Sequence, residues 1–137
     1  MVQHFRQLRV YIQAFQSAMT IYMMSKHFPR EEQYSLTDQI RRASRSVNTN
    51  IAEAWRKRRY PASFVSKLTD ADAEAGECQV WLEFAWQCGY ITEEKFRELD
   101  KVYDNICGGL VLMIDNAQGW CGPSTAREEE PEYHTEP

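Results

Sequence analysis

Apolar side chains recur along most of this chain at alternating steps of three and four, the spacing that keeps one side of a helix greasy. The cleanest run is Phe96, Leu99, Tyr103, Ile106, Leu110, Met113 and Ala117. Another joins Phe64, Leu68, Ala71, Ala75, Cys78, Leu82 and Ala85, a heptad seam whose small residues let a neighbouring helix come close. A third links Leu36, Ile40, Ala43, Val47, Ile51 and Ala54. The first run, Leu8, Tyr11, Phe15, Ala18 or Met19, and Tyr22, is widened by Ile12, Ile21 and Met23. So wide a stripe predicts either a thick core or a second contact surface. No strand-like alternation and no internal repeat occurs.

The punctuation between these runs sets the boundaries. Pro29 pushes Phe28 out of helical geometry. Pro61 suits the first turn of a helix, Gly89 a helix end, and Thr92 an N-cap. The helices therefore fall at about 4–26, 31–59, 62–88 and 93–118. Turns of about two to six residues leave each helix to pack on its predecessor. The expected fold is all-α, an up-down-up-down antiparallel four-helix bundle.

Within the second helix, Glu31 and Glu32 are placed in the first turn and Arg56 to Arg59 at the far end, as the helix dipole favours. Ser46, Asn48, Thr49 and Asn50 predict a bend or polar cluster midway, without a break. Gly108 and Gly109 cost the fourth helix about 1 kcal/mol each relative to alanine, which predicts tight packing or local looseness there. From 119 to 137 the periodicity stops. Five glutamates with Gly, Pro and Ser predict a disordered acidic tail.

Charge changes the picture. Between Gln39 and Tyr60 stand seven basic residues, Arg41, Arg42, Arg45, Arg56, Lys57, Arg58 and Arg59, against one acid, Glu53. The chain as a whole carries −4. Residues 61–89 oppose this helix with Asp70, Asp72, Glu74, Glu77 and Glu83 against Lys67. The arginines either meet those acids or form a phosphate-contacting stripe beside Trp55 and Tyr60, with steep salt dependence. The tail's glutamates are positioned in sequence to shield such a stripe.

Candidate chemistry is sparse. None of His4, His27 and His134 has a Glu three residues before it, so the Glu-x-x-His pattern of di-metal bundles is missing. No metal and no cofactor is expected. Nucleophile elbows, Walker loops and GxGxxG are absent. Four cysteines without CxxC spacing read as reduced thiols. Glu53 is the best candidate for an unusual carboxylate, and pairing with a nearby cation is the preferred reading. No catalytic residue is assigned. Trp55, Trp81, Phe84, Trp86 and Tyr90 exceed what one small bundle readily buries; the first four are expected at an oligomer interface. No apolar run approaches the roughly 20 residues of a membrane span, and the opening residues lack a signal peptide's apolar block. The expected setting is cytoplasmic.

QIRRA at 39–43, SxxxN at 46–50 and NIAEA at 50–54 resemble the signature of the bacterial 23S rRNA intervening-sequence proteins, also called four-helix bundle proteins. Phe64, Leu68, Ala73, Glu74, Glu77 and the stretch VWLEFAWQCGYI extend the likeness, which covers roughly residues 5–117. Asn48 stands where the family usually has proline, and Ala54 where it has glycine. The family is similar in fold to the accessory protein of diversity-generating retroelements, a five-membered ring that engages a reverse transcriptase and nucleic acid. The resemblance implies a homopentamer and a partner that is RNA or a nucleic-acid-bound protein. It supplies no catalytic residue. Gln39, Asn50 and Glu53 carry over as signature positions, expected to join Arg41 or Arg42 in a buried polar network. The resulting expectation is a non-enzymatic oligomer binding RNA through the second helix. The alternative is a structural protein–protein adaptor that binds no nucleic acid.

Overall fold

The predicted seam over residues 64–85 is wholly buried, all seven of its side chains closed off from solvent. It belongs to α3 (Pro61–Gln87), the longest helix in a computed structural model that describes residues 1–122. α1 spans Arg9–Ser25, α2 Leu36–Arg56, α4 Glu93–Asp115, and a short α5 Ala117–Cys121. Single 3₁₀ turns at Phe5–Gln7 and Arg30–Glu32 precede α1 and α2. α2 packs most extensively on α3, α4 on α3, and α1 on α2; a shorter α1–α4 contact closes the ring. The result is an up-down-up-down four-helix bundle. Ile40, Ala43, Val47, Ile51 and Ala54 of α2 meet Tyr103, Ile106 and Leu110 of α4 in one core.

Local chemistry explains the ends. Thr92 accepts a hydrogen bond from the Lys95 N–H at 3.0 Å and caps α4. α3 stops because Gly89 takes φ +83°: its N–H reaches Trp86 O and the Tyr90 N–H reaches Ala85 O, both at 2.8 Å. That double bond pattern satisfies the last carbonyls and requires a left-handed residue.

The second helix departs from expectation at both ends. It starts at Leu36 rather than near 31, so Glu31 and Glu32 precede its first turn. Glu32 caps it from outside: its Oε1 accepts from Ser35 Oγ at 2.6 Å and from the Leu36 N–H at 3.3 Å. At the other end α2 stops at Arg56, and Lys57, Arg58 and Arg59 lie on the turn to α3. The polar middle causes no break. Asn48, buried at 6% exposure, donates Nδ2 to Tyr11 O at 3.0 Å and so ties α2 to α1.

α1 is the larger correction. Its packed face is Val10, Ala14, Ser17 and Ile21, not the aromatic stripe. Tyr11 and Tyr22 are half-buried, while Ile12, Phe15, Met19 and Met23 are exposed. The reason is close approach. A Cβ on Gly109 of α4 would stand 2.6 Å from Val10 Cγ1, so α1 is seated where α4 presents no side chain. That face carries small and branched residues, and the rings turn outward. Gly108, by contrast, has open space around it. Residues 119–121, expected in the tail, continue as α5, with Cys121 buried; the rest of the expected tail, 123–137, lies outside the described residues.

Candidate nucleic-acid interface

α2 presents basic residues on two sides, and its neighbours treat them differently. On the α3 side, Arg42 Nη2 meets Glu77 Oε1 at 2.6 Å and Nη1 reaches Glu74 Oε2 at 3.4 Å. The hydrogen bond that Arg42 donates to Glu74 raises the guanidinium further above its ordinary range. Gln39 Oε1 accepts from Arg42 Nε at 3.5 Å. Glu53 pairs with Lys67 at 3.0 Å. The ion pairs with Glu74, Glu77 and Lys67 are rim contacts between two helices, each worth under about 1 kcal/mol.

On the α1 side the cations meet aromatic rings instead. Arg41 Nε donates to Ser25 Oγ at 2.7 Å, and Ser25 Oγ in turn donates to Tyr22 O at 2.8 Å. The Tyr22 ring has Arg41 at 4.9 Å, Lys26 at 4.9 Å and Arg45 at 5.7 Å from its centroid. At the other end of α2, Arg56 lies 5.7 Å and Arg6 4.9 Å from the Phe5 centroid. Arg41, Arg45, Arg56, Lys57 and Arg59 make no ion pair with another described residue. Arg58 has its guanidinium carbon over the Trp55 ring, 3.5 Å from the centroid, and donates Nε to Trp55 O at 2.9 Å.

The seven cations expected as one stripe therefore fall into three groups: Arg42 against α3, Arg41, Arg45 and Arg56 beside α1, and Lys57, Arg58 and Arg59 on the turn. Lys26 and Arg6 join the second group unforeseen. A signal for them exists in the chain: no Asp or Glu occurs before Glu31, so nothing on α1 can neutralise what faces it.

Of the expected polar network one link is present, the exposed Gln39–Arg42 hydrogen bond, and Asn50 and Glu53 do not join it. Asn50 Nδ2 bonds within its own helix, to Ser46 O at 2.9 Å and Ser46 Oγ at 3.1 Å. Glu53, Arg41 and Arg42 each go to different partners on different sides of α2. The expected interface set also divides. Trp55 is buried at 6% exposure because α5 brings Trp120 edge-on to it at 6.2 Å. Trp86 is half-buried and stacks on Phe96 at 4.9 Å. Trp81 and the 54%-exposed Phe84 lie 6.0 Å apart and line a groove of about 590 Å³ with Leu36 and Gln39.

Among the described residues no cluster of His, Cys, Asp and Glu is placed to hold a metal, and no helix is long and apolar enough to cross a membrane. Cys78, Cys88 and Cys107 are free thiols. Burial pushes the Cys78 thiol up to about 12, and burial with a hydrogen bond to Asp72 does the same for Cys107. Neither is a thiolate nucleophile at neutral pH.

An antiparallel four-helix bundle with a basic rim is the class these features define. The chain belongs to the family described as 23S rRNA-intervening sequence protein, whose profile matches residues 6–111. It is similar to a crystal structure, at 1.70 Å resolution, of a protein of unknown function from the S23 ribosomal protein family of Bacteroides thetaiotaomicron VPI-5482. The two share 29% identity with a TM-score of 0.70, over 77% of this chain and 95% of that one. Neither likeness points to an enzyme family. Comparison with curated proteins gives no match.

Proposed function

We propose that this protein is a non-enzymatic, self-associating bundle that binds RNA, or a nucleoprotein, through the basic side of α2. One observation carries the reading. The acids of α3 neutralise only Arg42, and Arg41, Arg45 and Arg56 are left beside an acid-free helix without an ion pair among the described residues. Unneutralised arginines in a row suit a phosphate backbone, where binding releases counterions. The family's name supports RNA as the polyanion. A homo-oligomer, a pentamer by resemblance, multiplies the row and adds avidity. The Trp81–Phe84 groove supports self-association and equally favours a second reading, a protein adaptor without nucleic acid.

Filter binding with a structured RNA separates the two. Affinity should fall steeply between about 50 and 200 mM salt. Replacing Arg41, Arg45 and Arg56 together with Gln should flatten the salt slope by about two to three, since each lost phosphate contact removes about 0.7–0.9. Arg42→Gln should leave affinity within about twofold, because its charge is already met. Affinity that is absent, or indifferent to salt, leaves the adaptor. Light scattering should give a multiple of 16.1 kDa; a monomer removes self-association.

A further inference from the structure

The aromatic residues that α1 turns away from the core lie along the unpaired cations of α2. Tyr11 and Phe15 stack at 6.0 Å and 27°. They divide two hollows. One, of about 380 Å³, is lined by Phe5, Tyr11, Phe15, Tyr22, Arg45 and Asn48; the other, of about 320 Å³, by Arg6, Tyr11, Ile12 and Phe15. A third, of about 230 Å³, continues past Phe5 to Arg56 and Lys57. Its one acid, Glu53, is already paired with Lys67. Arg41, Arg45, Thr49, Ala52 and Arg56 follow at steps of 4, 4, 3 and 4, one side of α2 about 22 Å long. Cations stand at both ends and in the middle, with rings between them.

We propose that this α1–α2 groove holds single-stranded RNA, bases stacked on Tyr11, Phe15 and Tyr22 and phosphates on Arg41, Arg45 and Arg56. It rests on the RNA-binding reading above and specifies the kind of RNA. Every base offers a π face, so a basic groove interleaved with aromatic rings binds unpaired strands with little regard to sequence. A duplex hides its base faces and needs no such rings. The floor is fixed in place: Asn48 Nδ2 donates to Tyr11 O at 3.0 Å and ties α2 to α1 beneath the rings. A protein occupant fits less well. Interface centres are depleted of charge, and a second copy using this same face would bring five cations against five.

The test uses the full chain and an unstructured RNA oligonucleotide carrying 5-iodouridine, beside a hairpin of equal length. Photocrosslinks should map to the tryptic peptide from Val10 to Lys26, which holds all three rings. Phe15 is half exposed, so Phe15→Ala should fold. It should weaken single-strand binding about five- to hundredfold, with the salt slope and the light-scattering mass unchanged. Phe15→Trp should restore binding. If the hairpin binds as tightly as the single strand and Phe15→Ala changes neither, RNA binding stands but stacking in this groove is refuted. If Phe15→Ala lowers the particle mass, the face is a contact between copies and the proposal fails. If neither RNA binds at low salt, the RNA reading and this proposal fall together.

Discussion

Arg42 and Arg45 stand three residues apart on one helix, yet among the described residues Arg42 meets two carboxylates and Arg45 meets none. Their own sequence does not distinguish them. The neighbouring helices do. α3 offers Glu74 and Glu77 one turn apart, whereas the chain before Glu31 has no acid at all and offers Tyr22. The apolar residues divide in the same way. Those of α3 that follow the heptad seam are sealed in the core, and those of α1 at similar spacing line a groove. The α3 side of α2 is thus spent on holding the bundle together, and the α1 side keeps its charge without an ion pair among the described residues.

The largest expected effect tests that division with one residue type. Phe64 sits at 0% exposure in the α3 seam, and Phe15 is half exposed on α1. Phe64→Ala should cost about 3–5 kcal/mol in urea unfolding, through lost transfer energy and the cavity left behind. Phe15→Ala should cost about 1 kcal/mol or less. Similar costs at the two positions would mean that α1 is packed through its rings after all, and the groove would lose its meaning.

How far the chain announced this arrangement follows from the same contrast. The seams of α2, α3 and α4 were readable because on each helix the longest run at steps of three and four is also the buried one, so periodicity names the buried face. On α1 the apolar positions run more than half-way round, and periodicity alone favours the stripe with the largest side chains. What selects the other stripe is Gly109, nearly a hundred residues away, and no local signal reports that. Glu32 as an outside cap, and the stop at Arg56, depend on a turn conformation rather than on propensity. The basic residues were legible as a cluster. Their sorting into a paired and an unpaired set was not, because it depends on which helix lies on either side. Trp55 misled for a related reason: its cover, Trp120, comes from a segment whose composition reads as tail.

A smaller effect sharpens the account of why α1 turns its rings outward. Gly109→Ala should destabilise by about 1–3 kcal/mol, since Val10 is stiff, buried and 2.6 Å from the new methyl. Gly108→Ala meets open space and should stabilise by about 0.5–1 kcal/mol, the ordinary helix preference for alanine. The sign change between adjacent residues is the test, read from denaturation midpoints. Two stabilising substitutions would show that α1 can move off α4 freely, and that the close contact does not select its buried face.

The smallest effect lies where α2 begins. Glu32 Oε2 accepts from Tyr90 OH at 2.8 Å, while Oε1 takes Ser35 and the Leu36 N–H, so one carboxylate fastens the start of α2 to the turn after α3. The Ser35 and Tyr90 hydrogen bonds hold the Glu32 carboxyl below its ordinary 4.5. Its contribution is therefore present above that value and is lost as pH falls through the lower, folded one. Tyr90 shifts oppositely. The hydrogen bond to Glu32 pushes the phenol from 10.0 up to about 12, so its contribution is full below 10 and is lost as pH rises towards 12. Tyr90→Phe keeps the ring against Phe28, 5.6 Å away, and removes only the hydroxyl. Its midpoint in urea should fall slightly below that of the unmodified protein at neutral pH, and the difference should close at both extremes. A difference that persists undiminished to pH 12 would mean the hydroxyl acts through packing rather than through Glu32, and α2 would then owe its start to Ser35 and the backbone alone.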